Sequence, residues 1–303
     1  MPLCNRKHIM YFQKLVVSLL ISIFISTAYA SDLVLDMSYR RVVQLENGSN
    51  FRDGGDYPTL DGTTVTRGKL FRSAAMYAID SENDLNYLNQ FNFQTVLDLR
   101  SLEERDLQPD RWVLKDDDVE YMAYDYSFME MMKKAKKSQK SGGSFDMPTM
   151  YKEMHKLLKP QLKMYFDALL NEKTPIILHC SAGQDRTGFV SAMMLSALSV
   201  EKALIFEDYQ LSTDFRRPQI EKGDIDYAAA AKEGNQFAKI MMQYTKGKKQ
   251  THANPLRTVE GRSFLTYSFD AIESEYGSVG EYLEKEIGLG KPEIAKLKTL
   301  YTQ

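Results

Sequence analysis

The stretch that most restricts the fold is residues 175–198, "PIILHCSAGQDRTGFVSAMMLSAL". Its first part is a short apolar run with β-branched residues, long enough for a buried strand and too short for a helix. From Arg186 onward the apolar residues recur at helical spacing. Between them lies a six-residue loop containing one glycine. Strand, tight loop and helix therefore follow one another without a linker, the local grammar of an α/β domain. A second run, "TVLDL" at residues 95–99, reads as another buried strand, and "YKEMHKLLKPQLKMYFDALL" between the two reads as helix broken or restarted at Pro160. Strands alternating with helices predict a central, mostly parallel sheet flanked by helices.

Outside this frame, residues 129–148, with five lysines among Gly and Ser, read as a mobile basic loop, and residues 216–260 as a second, polar insertion. Both are potential lids. The run Lys133 to Lys140 is a possible contact for anionic lipid, with a solvated loop as the plainer alternative. The C-terminal tail reads as helical, with stops at Gly288 and Gly290 and a restart at Pro292.

The first thirty residues read as a targeting segment: Arg6, Lys7 and Lys14 precede an apolar run from Leu15 to Ile25, and Ala28-Tyr29-Ala30 is a small-residue cleavage pattern. Export to the periplasm or beyond is expected, with cleavage near Ala30 and residues 31–303 forming the catalytic domain. Without that segment the chain carries 36 basic and 41 acidic residues, a net charge of −5 with no nucleic-acid footprint. Cys4 leaves with the segment, so the mature chain holds Cys180 alone and has no internal disulfide. The remaining histidines, His155, His179 and His252, have no ligand-like spacing, and no metal or cofactor is expected.

The chemistry is concentrated in "HCSAGQDRTG" from His179 to Gly188. At average residue frequencies, the joint occurrence of His179, Cys180, Gly183, Asp185, Arg186, Thr187 and Gly188 at this spacing arises by chance in about 10⁻⁷ of 300-residue chains. The pattern suits a tetrahedral dianion. A tight loop before a helix turns successive N–H groups inward as an anion nest, and the helix start adds positive field. Gly183 allows a backbone turn that a side chain would obstruct, and Arg186 offers a planar fork for two phosphate oxygens. The same field favours the thiolate of Cys180, the nucleophilic form of the group. Phosphoryl transfer to sulfur, followed by hydrolysis of the phosphocysteine, is the expected reaction. Ser181, Ala182, Gly183 and Gln184 are the expected substrate-binding residues. Thr187 either places its hydroxyl beside the sulfur or serves as an ordinary helix-start hydroxyl. His179 orients the loop in the preferred reading and acts as a base in the other. The proton for the leaving group comes from Asp185, Asp98 or Asp125.

With these residues in view, the chain resembles the cysteine-dependent tyrosine phosphatase superfamily, and most closely the bacterial atypical tyrosine/lipid phosphatases whose loop reads HCxxGKDRTG. "NFRDGGDY" from Asn50, "RGKLFRSA" from Arg67, "VLDLRSLEE" from Val96 and "EDYQLST" from Glu207 resemble further elements of that family. The resemblance implies a tyrosine-phosphatase-like fold, Cys180 as nucleophile, Arg186 as phosphate binder and Asp185 as acid. It implies activity on phosphotyrosine, with phosphoserine/threonine or phosphoinositides as substrates of some members. Gln184 stands where the family has lysine, a residue associated with additional phosphates on inositol lipids, so the resemblance does not settle an inositol phosphate alternative. A phosphate-binding module without turnover is the reading from a different functional class.

Overall fold

A computed structural model describes residues 40–137, 146–245 and 252–303. The expected targeting segment 1–30 and residues 138–145 of the basic insertion lie outside the described residues. The body from Val42 to Gln303 is built on five strands, β1 (Arg52–Asp53), β2 (Leu70–Ser73), β3 (Thr95–Asp98), β4 (Glu120–Ala123) and β5 (Ile176–His179). Their order across the sheet is β1-β2-β5-β3-β4, with β1 antiparallel to β2 and every other pair parallel. The mostly parallel α/β sheet expected from the sequence is therefore present, and both strand assignments hold.

In chain order the helices are α1 (Glu82–Asn89), α2 (Leu102–Leu107), α3 (Phe128–Lys137), α4 (Met147–Leu157), α5 (Lys159–Leu170), α6 (Asp185–Ala197) and α7 (Lys202–Phe215). They continue with α8 (Pro218–Lys222), α9 (Tyr227–Lys232), α10 (Gln236–Thr245), α11 (Phe264–Tyr276), α12 (Val279–Tyr282) and α13 (Lys291–Tyr301). The break at Pro160 falls in the first turn of α5, where a missing N–H costs nothing. Gly288 caps the helical turn that follows α12, and Pro292 sits in the first turn of α13, as anticipated.

Both faces of the sheet are covered, which explains why the strands read as continuous apolar runs rather than alternating ones. Successive residues of a strand point to opposite faces. Leu70, Leu97, Ile176 and Leu178 pack with α4, α5, α6 and the C-terminal helices in one core. Phe71, Val96 and Ile177 face a second core with Phe51, Leu88, Phe93 and Val113.

Two expectations are corrected. The stretch 129–148 is not a loop throughout: its first half is α3, because Phe128, Met131 and Ala135 fall on one helical face, which buries Met131 and Ala135 and sets Phe128 5.3 Å from the Phe237 ring on α10. Lys133 and Lys134 occupy its exposed side. The stretch 216–260 contains α8, α9 and α10, tied to the body through Phe237, Ala238 and a 2.9 Å bond from Asn235 Nδ2 to the Glu103 carbonyl. Lysine and serine counts obscured these short amphipathic elements.

Candidate active site

Strands β2, β5 and β3 end in register, with Ser73 beside His179 and His179 beside Asp98. The edge beyond their carboxyl ends is where ligands gather in open α/β sheets. The chain leaves β5 there, runs through Cys180 to Gln184, and enters α6 at Asp185. Gly183 has φ +61°, and a Cβ there would lie 2.3 Å from the Ser73 carbonyl oxygen. Only glycine permits this turn so close to β2.

The carbonyls of Ser181, Ala182 and Gly183 are each engaged by groups outside the loop. Asn50 Nδ2 donates to Gly183 O (2.8 Å) and Ala182 O (3.1 Å), Arg72 Nη2 donates to Gly183 O (2.9 Å), and the Ala75 amide donates to Ser181 O (3.2 Å). Among the described residues the amides from Ser181 to Arg186 donate to no protein acceptor. Carbonyls secured behind and amides left in front make an anion nest at a helix start.

A buried ion cluster holds the loop from beneath. Asp208 accepts from Arg72 Nη1 (2.5 Å) and Arg52 Nε (3.2 Å), and Tyr57 donates its hydroxyl to the same carboxylate. Burial and the neighbouring Arg72 push Arg52 down to about 10, which leaves it charged at neutral pH. Two guanidiniums facing one carboxylate leave a surplus positive charge under the nest. Asn50, Arg52 and Arg72 belong to the "NFRDGGDY" and "RGKLFRSA" motifs, and their task is now visible: Asn50 and Arg72 hold the carbonyls of the anion loop, while Arg52 donates to Asn50 Oδ1 and to Asp208.

Arg186, on the first turn of α6, meets Glu104 in a two-pronged pair, Nη1 to Oε2 at 2.7 Å and Nη2 to Oε1 at 2.6 Å. Tyr126 OH accepts a further bond from Nη1 at 2.9 Å and donates to the Leu99 carbonyl. Arg186 Nε has no acceptor among the described residues, so this edge of the fork remains for an oxyanion. Glu104 also accepts from Ser181 Oγ and closes a capping box with Ser101 at the start of α2. Burial opposes its charge, but Arg186, Ser181 and the Ser101 amide outweigh that and hold the carboxyl below its ordinary range. Sequence reasoning quoted "VLDLRSLEE" without singling out Glu104; the S-x-x-E spacing was the available signal.

Its lowered pKa gives a stability prediction. A carboxylate with a depressed folded-state pKa stabilises fully above its unfolded value near 4.3 and loses that contribution as pH falls through the folded value. Removing the charge by Glu104→Gln leaves Arg186 unbalanced and is expected to cost about 3 kcal/mol at pH 7. The gap in Tm from wild type should narrow below about pH 4. Thermal melts across pH 3–7 check this, and a gap independent of pH would contradict it.

The three acid candidates separate clearly. Asp185 lies at the mouth of the nest, half-buried, with Oδ1 accepting from Tyr151 OH at 2.5 Å. Asp98 is fully buried and saturated: it accepts from Arg100 Nε (2.9 Å) and Nη2 (2.6 Å) and from Tyr121 OH (2.7 Å). Although burial works against its charge, Arg100, His179 and Tyr121 hold its pKa below the carboxylate range. An ionised, enclosed group has no proton to give, so the sequence expectation for Asp98 is corrected to a structural one. Asp125 is 73 % exposed and pairs with Arg105 at 2.5 Å, on the surface.

His179 is buried, with Nε2 3.1 Å from Asp110 Oδ2 and 3.6 Å from Asp98 Oδ2. Asp98, Asp110 and His179 form a cluster of metal-ligand type, but Arg100 Nη2 lies 2.6 Å from both carboxylates and takes the cation's place. Thr187 is fully buried, and its hydroxyl meets no hydrogen-bond partner among the described residues. Cys180, 2 % exposed, sits at the foot of the loop. Gln184 Oε1 accepts from Arg216 Nη1, and Arg216 is itself clasped by Glu221 at 2.6 Å. The sequence alone gave no hint of Arg216, which reaches the loop from the end of α7.

A parallel strand leading into a cysteine, an amide nest and an arginine on the following helix define the cysteine-dependent phosphatases as a class. The family model described as "Tyrosine phosphatase family" matches residues 43–303, and the chain belongs to that family. It is an enzyme of the tyrosine-phosphatase type, a phosphomonoester hydrolase. One relative is the triple specificity protein phosphatase PtpB of Mycobacterium tuberculosis, 25 % identical over 284 residues, spanning 85 % of this chain and 98 % of that protein. Another is the tyrosine-protein phosphatase of Nostoc commune, 26 % identical over 247 residues, spanning 80 % of this chain and 76 % of that protein.

Proposed function

We propose that the protein hydrolyses phosphotyrosine through a phosphocysteine intermediate, outside the cytoplasm as its first thirty residues suggest. Cys180 attacks phosphorus, the amides from Ser181 to Arg186 and the Nε edge of Arg186 hold the equatorial oxygens, and Asp185 protonates the departing phenol oxygen. Water then cleaves the S–P bond. The observation that carries this reading is the loop itself: its carbonyls are engaged by Asn50 and Arg72, its amides are left without a protein acceptor among the described residues, and Arg186 is pinned through its terminal nitrogens with Nε unengaged.

The flank of the loop supports a singly phosphorylated substrate. Gln184 brings no charge, and the arginine beside it is matched by Glu221, which is held in turn by Ser49 Oγ at 2.7 Å. A ring carrying several phosphates meets no surplus cation at that position. In a panel of phosphotyrosine peptide, phosphoserine peptide and inositol polyphosphates, kcat/KM for phosphotyrosine should exceed that for the inositol compounds by about tenfold or more. Preference for the inositol compounds would overturn the assignment.

A further inference from the structure

We propose that Tyr151 is a positioning residue for proton delivery: it fixes the carboxyl of Asp185 so that Oδ2, not Oδ1, gives its proton to the leaving group. This rests on Asp185 being the acid in the reaction proposed above. Tyr151 lies on α4, far from the loop in sequence, and its hydroxyl meets Asp185 Oδ1 at 2.5 Å. Tyr209 on α7 donates to the Tyr151 oxygen at 2.7 Å. Neither ring has meaningful contact with solvent, Tyr151 being 0 % and Tyr209 1 % exposed.

The direction of this chain is fixed by proton counting. A phenol has one proton. An ionised Asp185 only accepts, so Tyr151 must donate to it, and the Tyr151 oxygen is then free to accept from Tyr209. Burial, reinforced by Asp185, raises both phenols well above their ordinary value, so they keep their protons across the working range. When Asp185 is protonated, a proton on Oδ1 would confront the Tyr151 O–H, whereas one on Oδ2 leaves the bond intact. Oδ2 accepts from no group among the described residues. As the P–O bond breaks, its electron pair stays on the phenol oxygen, which takes the Oδ2 proton while the S–P bond forms; Tyr151 and Tyr209 lose nothing.

The fold has made room for this pair. A Cβ on Gly188 would lie 2.8 Å from Tyr209 Cδ2, so glycine at the fourth position of α6 lets the Tyr209 ring settle against the helix that carries Asp185. Tyr151 is held from its other sides by Tyr209 edge-on at 6.1 Å and by Phe264 at 5.7 Å.

General acid help matters most when the leaving group is poor. The test is a series of aryl phosphates whose phenols span a wide range of acidity, read as the dependence of kcat/KM on leaving-group pKa. For Tyr151→Phe, the loss on the poorest leaving group should exceed the loss on the best by about tenfold. Asp185→Asn in the same series should show a steeper dependence still. If Asp185→Asn steepens the dependence and Tyr151→Phe leaves it as in wild type, Tyr151 is structural and the proposal falls. If Asp185→Asn itself leaves the dependence unchanged, the acid assignment falls instead. Tyr209→Phe keeps the test open should Tyr151→Phe fail to fold: it frees the Tyr151 oxygen, and an intermediate slope is expected, with a wild-type slope counting against the positioning role.

Discussion

Cys180→Ser is expected to lower phosphate release from a phosphotyrosine peptide by about 10⁴-fold or more, because a serine hydroxyl at that position has no adjacent base to ionise it. The nest does not depend on the sulfur. Its carbonyls are held by Asn50 and Arg72 and its guanidinium by Glu104, all untouched by the substitution. Inorganic phosphate should therefore bind the variant within about threefold of wild type. The pairing of lost turnover with kept binding separates an enzyme from a phosphate-binding module. Equal turnover in the two proteins would leave the cysteine without its assigned task.

Arg186→Lys is expected to reduce kcat/KM by about 10²–10³-fold even though the charge is kept. The reason is geometric. Glu104 occupies one side of the guanidinium through both terminal nitrogens, and the Nε edge is directed elsewhere as a consequence. An ammonium is a point charge and cannot satisfy Glu104 and a phosphate along two defined edges at once. Kinetics on phosphotyrosine peptide, with folding followed by thermal melts, check this. A loss of less than about tenfold would mean that positive charge alone suffices.

What the sequence disclosed and what it concealed divide along physical lines. The strands at Val96 and Ile177 were legible because burial on both faces forces an apolar run, and the loop was legible because one backbone turn and one anion demand particular residue types at fixed spacing. Glu104, Tyr126 and Tyr151 were not, since they reach the loop from three separate parts of the chain: the S-x-x-E spacing at Glu104 marks a helix start, and nothing local marks a partner 82, 60 or 34 residues away. Asp98 illustrates the converse error. Its place at the end of β3 suggested reactivity, but the same place is sealed by Arg100 and Tyr121. Composition misled for α3, where four lysines between Lys133 and Lys137 hid the apolar face of Phe128, Met131 and Ala135.

The most direct measurement is mass analysis of wild-type protein acid-quenched during turnover of a slowly hydrolysed aryl phosphate. One phosphoryl group is expected on the peptide containing Cys180, lost when hydrolysis runs to completion and absent from Cys180→Ser. Phosphate released at full rate with no adduct on that peptide, or with an adduct on any other residue, would contradict phosphoryl transfer to Cys180.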